Sequence, residues 1–534
     1  MIEAHSVAAV RRAESVAMSE LPSGALMQRA AGALAGVVVR ELRERVGRVY
    51  GVRVCLLIGP GNNGADALYA GARLAARGVA VTAIITASKP HAEALDSLLA
   101  SGGRVIDIVR QPAATPGADT VLSGANDEEA QQRRLNALRL EGAAGRNWMA
   151  ARRAVLDADL VIDGLLGIGG RPGLGDSAAR IVNALDPRVP VISVDVPSGI
   201  NPDTGAVVGV HVTADVTVTF GTAKPGLLLP PGSHAAGRVE VVDIGLDAAY
   251  LGSSAVQRVS SREVAALWPV PRSSDDKYSR GVVGVVAGGG VYTGAAVLAT
   301  GAAMRAGAGM VRFVGPDTVT RAVRQRWPEI VTGEGRVQAW VLGPGVDPDS
   351  DDDQAKAIQT ALLGDVPCVV DAGGIDILAR VLTEQPEGER VPAPMLLTPH
   401  AGELARLLQV LSTRKRVTRE AVLAAPLEFA REAAEITGAT VLLKGAVTIV
   451  VDPEGTVRSQ DEAPAWLATA GAGDVLSGIA GTLLASGLAP VEAGSLAAWL
   501  HGSAATQASQ GGPITAEDVL DAVPRAAARL LTSA

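Results

Sequence analysis

The residues best placed to do chemistry lie in Ala468-Thr-Ala-Gly-Ala-Gly-Asp474, followed at once by Val-Leu-Ser-Gly-Ile-Ala-Gly. Small residues make a turn, and an apolar, helix-like segment follows it. Such a turn offers unpaired backbone N–H groups and the positive end of a helix dipole to an anion. Asp474 falls in the first helical turn, beside that anion site. A carboxylate there cannot bind phosphate, but it can take a proton from a hydroxyl that attacks phosphate. Read alone, the segment is also an ordinary glycine-rich helix start with a first-turn carboxylate.

Other residues of the C-terminal half gather round the same chemistry. Leu443-Lys444-Gly445-Ala446-Val447-Thr448 puts a cation after a strand, where it could meet phosphate or simply face solvent. Leu397-Thr-Pro-His400-Ala-Gly-Glu403 sets a histidine between a strand and a helix. Leu342-Gly343-Pro-Gly345 follows another strand, and Gly288-Gly-Gly-Val-Tyr-Thr-Gly-Ala-Ala296 follows the strand after Asp276-Lys277-Tyr-Ser-Arg-Gly281.

The N-terminal half carries Gly59-Pro-Gly61-Asn62-Asn63-Gly64 between a strand and a helix, which matches a dinucleotide fingerprint. Its acidic partner is missing, because the next strand ends Ile-Thr-Ala-Ser-Lys89. Ordinary nicotinamide hydride transfer therefore loses ground. Two further strand ends carry carboxylates: Val-Ile-Asp163-Gly-Leu-Leu-Gly167-Ile168-Gly169-Gly170-Arg171 and Ser-Val-Asp195-Val-Pro-Ser198-Gly. One strand-end aspartate is often only a helix cap, but three polar strand ends at one sheet edge mark a ligand crevice.

These residues need a scaffold of strands and helices. Short apolar runs at Val52–Ile58, Val79–Thr86, Leu160–Asp163 and Val189–Asp195 alternate with Ala/Leu-rich stretches, including a helix predicted over Asp66–Arg77. Residues 4–46 read as helices broken at Leu-Pro-Ser-Gly. The alternation restarts at Gly281–Ala287, Met310–Val314, Ala339–Leu342, Cys368–Asp371, Met395–Leu397 and Val441–Leu443. This predicts an α/β fold of two domains with parallel sheets, 1–248 and 260–534. Residues from about 110 to 150 break the rhythm and read as a charged surface insertion. In 534 residues the hydrophobic share is 48% and the aromatic share 3%, so the cores must be aliphatic. A net charge of -8 argues against nucleic acid as partner. Cys55 and Cys368 lie in apolar runs, with no disulfide or metal spacing. No signal peptide or apolar membrane span is expected, and a cytoplasmic location fits.

Taken together, the motifs of the first half resemble the YjeF N-terminal domain, the NAD(P)H-hydrate epimerase. The shared parts are the Gly-Asn-Asn-Gly-x-Asp loop, Asp163-Gly-Leu-Leu-Gly-x-Gly, Val-Asp195-Val-Pro-Ser-Gly and Thr222-Ala-Lys224-Pro-Gly, in order over about residues 1–245. The resemblance implies a Rossmann-like three-layer αβα domain. It also implies that hydrated NADH or NADPH binds at Asn62, Asn63, Gly64, Ala65 and Asp66, and along Gly167, Ile168, Gly169, Gly170, Arg171, Pro172 and Gly173, and at Asp195. Asp195 is the expected proton-transfer residue, and Arg171 and Lys224 the expected phosphate holders. A potassium ion is implied near Asn63, Asp163 and Ser198, all oxygen donors. Ala65 stands where the family usually has glycine, and its methyl is expected to tighten the loop.

The second half resembles the ribokinase-like fold and, within it, the YjeF C-terminal domain, the ADP-dependent NAD(P)H-hydrate dehydratase. Tyr-Thr-Gly-Ala-Ala, Gly-Pro-Gly, Thr-Pro-His-x-Gly-Glu, Leu-Lys-Gly and Ala-Gly-Ala-Gly-Asp carry the likeness over about 260–534. It implies that Lys444, Gly445, Ala446, Val447, Thr448 and Gly473 bind the adenine nucleotide, and that Ala296, Gly345, His400 and Asp474 meet the hydrated cofactor. Mg2+ with ADP, release of AMP, and a homo-oligomer are further expectations. The reading is a repair enzyme that epimerises R and S hydrates and dehydrates the S form. A small-molecule kinase would instead accumulate a stable phosphorylated product. A nucleotide sensor or partner-binding module would not turn over hydrated NADH unaided.

Overall fold

A computed structural model of the chain describes residues 1–109, 145, 147–169, 173–349, 353–384, 391 and 393–533. The chain forms two compact units, Ala4–Ser254 and Ala255–Ala534, the latter joined by Met1–Glu3. The expected first domain began at residue 1; Met1–Glu3 go instead with the C-terminal unit, where the short strand Ile2–Ala4 (β1) lies at a sheet edge.

In the N-terminal unit, Val7–Glu20 (α1) and Ala25–Val46 (α2) are separated at Leu21–Gly24, where Pro22 and a left-handed Gly24 interrupt the helix. Seven strands follow: Arg53–Ile58 (β2), Ala80–Ile85 (β3), Arg104–Asp107 (β4), Leu160–Gly164 (β5), Val191–Val194 (β6), Val216–Phe220 (β7) and Arg238–Val242 (β8). All pair in parallel, in the order β4-β3-β2-β5-β6-β7-β8. Period two sorts the β2 side chains. Val54, Leu56 and Ile58 join one core with α2 and with Asn62–Ala75 (α3), while Cys55 and Leu57 join a second core. The result is a three-layer αβα unit. The order reverses at β2 and β5, so a crevice opens beyond their carboxyl ends.

The C-terminal unit holds Val256–Arg258 (β9), Val282–Val286 (β10), Met310–Val314 (β11), Val331–Thr332 (β12), Ala339–Leu342 (β13), Cys368–Val370 (β14), Met395–Leu397 (β15), Thr440–Leu443 (β16), Thr448–Val451 (β17) and Val457–Gln460 (β18). Their order is β1-β9-β18-β17-β16-β15-β14-β13-β10-β11-β12, with β16–β17 and β17–β18 antiparallel and β9–β18 and every pair from β16–β15 to β11–β12 parallel. The low aromatic content shows in the packing: Ala299, Ala302 and Ala303 of the helix Thr293–Arg305 share a core with Val475, Ile479 and Ala480 of the helix Ala472–Ala485. Cys55 and Cys368 are buried free thiols, each pushed up to about 12 by burial. Among the described residues, no helix is long and apolar enough to cross a membrane.

Candidate functional site

In the N-terminal unit the polar strand ends converge. Asp163, at the end of β5, is fully buried and accepts from Ser193 Oγ (2.9 Å), Ser198 N (2.9 Å), Ser198 Oγ (2.6 Å) and Leu165 N (3.2 Å). Burial pushes its carboxyl up, and these donors pull it back. Asn63 donates its amide to the carbonyls of Leu166 and Val194. Asn63 and Ser198 thus both bond to the Leu166 backbone, and Ser198 bonds to Asp163. Among the described residues, no group of three or more His, Cys, Asp or Glu could hold a metal ion.

Asp195 follows β6 in the left-handed region, with φ of 66°. That backbone costs a non-glycine residue on the order of 1 kcal/mol, and strong anchoring offsets it. Thr219 Oγ1 (3.0 Å), Phe220 N (3.4 Å) and the Lys224 ammonium all donate to Oδ1, while Oδ2 takes no bond among the described residues. Lys224 is 1% exposed and also donates to Thr219 Oγ1 and the Phe220 carbonyl. Its three hydrogens are used, so the expected phosphate contact of Lys224 is not available. Gly170, Arg171 and Pro172 lie outside the described residues. Gly173 is described but does not line the crevice.

The crevice itself is a cavity of about 860 Å³, lined by Asn62, Asn63, Asp66, Gly167, Ile168, Gly169 and Asp195, with α1 and α2 on another side. The predicted helix began at Asp66; α3 begins at Asn62, after an extended Gly61, so Asn62 and Asn63 form its first turn. Gly64 needs to be glycine, since a Cβ there would stand 2.5 Å from the Gly59 carbonyl oxygen. Ala65 does not tighten a loop: it sits inside α3 with its methyl in the core.

In the C-terminal unit, Asp371 at the end of β14 and Lys444 at the end of β16 form a salt bridge of 2.8 Å. Ser477 Oγ donates to the other Asp371 oxygen at 2.7 Å, and Glu403 lies 3.7 Å from Lys444. Burial pulls the Lys444 ammonium down, but Asp371 and Glu403 outweigh it and hold it above the ordinary range. Gly471 caps the helix Ala472–Ala485 with φ of 86°, a left-handed turn suited to glycine. A Cβ built on Gly473 would lie 3.3 Å from Lys444 Nζ, so the ammonium stands against that turn. Asp474 is in the first turn, and burial, reinforced by the Asp371 charge, pushes its carboxyl up to about 7. That value suits a base at neutral pH.

His400 caps the helix Ala401–Leu411: Nδ1 accepts from Gly402 N (3.0 Å) and Glu403 N (3.1 Å). The ring proton is thereby left on Nε2, 3.4 Å from Glu403. Gly445 and Ala446 are exposed in the β16–β17 turn, Val447 is buried, and Thr448 opens β17. Gly345 packs against Tyr292 and Ala295. Ala296, in the first turn of the helix Thr293–Arg305, is fully buried. The reading missed Asp371, Glu403 as a lysine partner, and Ser477. Asp371 had a readable signal, since it ends a short apolar strand just as Asp163 and Asp195 do.

The sequence comparisons bear on both units. The family model described as YjeF-related protein N-terminus matches residues 23–226, and that described as NAD(P)H-hydrate dehydratase matches 283–525. The bifunctional NAD(P)H-hydrate repair enzyme of Mycobacterium tuberculosis is 42% identical over 499 residues, covering 92% of this chain and 90% of that one. The chain belongs to the bifunctional NAD(P)H-hydrate repair enzymes. Another enzyme of that name, from Mycobacterium leprae, is 40% identical and covers 95% of each chain. A solved ADP/ATP-dependent NAD(P)H-hydrate dehydratase from Bacillus subtilis, co-crystallised with ATP and Mg2+, is 25% identical with a TM-score of 0.46, covering 52% of this chain and 99% of its own. This repair enzyme thus combines, in one chain, the two domains that the family name joins.

Proposed function

We propose that the chain restores hydrated NADH and NADPH in two steps at two sites. The N-terminal unit interconverts the R and S hydrates, and the C-terminal unit removes water from the S form at the expense of ADP. In the second step Asp474 takes the proton of the substrate hydroxyl as that oxygen accepts the terminal phosphoryl group of ADP, and AMP leaves. The carbon–oxygen bond then breaks with phosphate as leaving group. A neighbouring ring carbon gives up a proton, and the dihydronicotinamide double bond is restored. What supports this reading above all is Asp474: its carboxyl, at about 7, stands in the first turn of a glycine-capped helix start, beside the Lys444 charge.

Mg2+ would arrive on the nucleotide phosphates, as is usual for that ion. A potassium ion would be held by Asn63, Asp163 and Ser198 and would supply a fixed positive charge beside the strand-end loops. Replacing all potassium and sodium by tetramethylammonium should lower R–S exchange to the spontaneous rate, and added potassium should restore it. Unaltered exchange would count against the ion site. The whole proposal is tested by incubating chemically hydrated NADH with the chain, with and without ADP. Dihydronicotinamide absorbance should return only with ADP, and from both epimers. A stable phosphorylated product would favour a kinase instead.

A further inference from the structure

Epimerisation of a hydrated nicotinamide poses a two-sided problem. The hydroxyl sits on the carbon bonded to the ring nitrogen, where an enamine takes up water. Inverting that carbon means that water leaves one face and enters the other. A single carboxylate cannot serve both faces without the ring turning over, so a second proton-transfer group is required in the same cavity.

The cavity holds few candidates besides Asp195. Asp66 is 7% exposed, and its Oδ1 is buried without a hydrogen-bond partner among the described residues. It stands in the first turns of α3, at the same carboxyl edge of the sheet as Asp195, and so offers no second face. His91 spends Nδ1 on capping the helix Ala92–Ala100, and Glu93 is exposed to solvent. Glu14 is different. It comes from α1, a separate element from the sheet edge that supplies Asp195, and it is half-buried and lines the cavity. We propose that Glu14 is the second acid–base catalytic residue of this site, working on the substrate hydroxyl from α1 while Asp195 works from the sheet edge. The assignment rests on the epimerase reading of the N-terminal unit.

The charges around Glu14 support the role. Burial pushes its carboxyl up and the Asp195 charge pushes it further, while Lys224 and Arg11 pull it back. Asp66, also facing it, is held well above the ordinary range by burial, by Asp195 and by Glu14 itself. Three carboxyl groups with one buried lysine cannot all stay charged at little cost.

The step balances as follows. Protonated Glu14 gives its proton to the hydroxyl oxygen, the carbon–oxygen bond breaks, and water leaves with the bonding pair. The nitrogen lone pair forms a carbon–nitrogen double bond. A second water adds to the other face, its proton passes to Asp195 Oδ2, and the π pair returns to nitrogen. The opposite conversion swaps the two roles, and exchange with solvent resets both carboxyls.

The test uses the full chain, with R–S exchange followed by chromatography above the spontaneous rate. Absence of exchange in the unmodified chain overturns the epimerase reading itself. Where exchange is present, Glu14→Gln should lower kcat about a hundredfold, with KM within about threefold, while dehydration of pure S hydrate continues and an unchanged denaturant-unfolding transition of the N-terminal unit shows that unit folded. Glu14→Asp should recover part of kcat and shift the pH profile of exchange. An unchanged kcat in Glu14→Gln, or an effect confined to KM with the same pH profile, overturns the proposal. If Glu14→Gln fails to fold, Glu14→Asp decides alone: an unmoved pH profile overturns it, a moved one upholds it.

Discussion

Each unit pairs a strand-end aspartate with a lysine from a later strand end: Asp195 with Lys224, Asp371 with Lys444. The two pairs differ in access. The Lys224 side chain is 1% exposed and its hydrogens are consumed inside the unit. The Lys444 side chain is 21% exposed, is shared between Asp371 and Glu403, and stands against the Gly471–Gly473 turn. A sealed pair fixes one carboxylate and leaves its second oxygen free for proton transfer. An open pair keeps a cation near a helix start, where an anion can reach it. The same ion pair thus suits general base chemistry in one unit and phosphate chemistry in the other.

The largest expected effect separates the two carboxylates. Asp474→Asn keeps shape and removes the proton acceptor, so dehydration should fall by about 10² or more while R–S exchange persists. Asp195→Asn should do the reverse, leaving the S hydrate repaired and the R hydrate to spontaneous exchange. Separating R, S and repaired cofactor over time checks both. Loss of exchange in folded Asp474→Asn would merge the two sites and end the comparison.

The lysines come next. Lys444→Met removes a charge-assisted contact to phosphate and should weaken ADP binding about ten- to a hundredfold. It also leaves Asp371 buried and unpaired, a loss of about 3–5 kcal/mol in stability. Lys224→Met should cost stability on the same scale and slow exchange, yet leave ADP affinity alone. Calorimetry and thermal unfolding read out both variants. Equal nucleotide affinity in Lys444→Met and the parent would erase the distinction between open and sealed pairs.

A smaller effect is pH. Below about 7 the raised carboxyl of Asp474 is increasingly protonated and cannot accept a proton, so dehydration should fall on the acid side. Stability runs the other way. Between the ordinary aspartate value and about 7 the folded chain holds a proton that the unfolded chain has lost. Its contribution therefore declines as pH rises through that window and is flat above it. Asp474→Asn should remove that slope from a stability–pH curve; an unchanged slope would assign it to another group.

Much of this was legible in the residues. Apolar runs ending in Asp163, Asp195 and Lys444 marked the sheet edges, and the alternation of runs and Ala/Leu-rich stretches marked an α/β fold. Val216–Phe220 was passed over, and its Val-Thr-Val-Thr pattern explains why: Thr217 and Thr219 are fully buried, their hydroxyls spent on the Ala236 carbonyl and on Asp195. Partnership was the harder matter. Lys444 and Asp371 lie 73 residues apart, and only the β14-β15-β16 order brings their strand ends together. Lys224 read as a phosphate holder because nothing local shows that Asp195 seals it.

The smallest effect tests whether the glycine loop belongs to the site or to the core. Gly64 and Ala65 are neighbours in α3, yet their surroundings differ. A methyl on Gly64 would collide with the Gly59 carbonyl, whereas the methyl of Ala65 is fully buried among the residues of the α2–α3 core. Ala65→Gly would give back the residue usual in the family. It would also lose a buried methyl, about 0.8 kcal/mol, and raise the conformational cost of the helix by about 1 kcal/mol. The expected outcome is a loss of roughly 1–2 kcal/mol in stability with R–S exchange and dehydration both unchanged. Denaturant unfolding of the N-terminal unit's signal measures the first, and the epimer assay the second. Faster exchange in Ala65→Gly without loss of stability would show that the methyl restrains the substrate loop after all, and that Asn62–Asp66 work as a mobile part of the site rather than as the fixed first turns of α3.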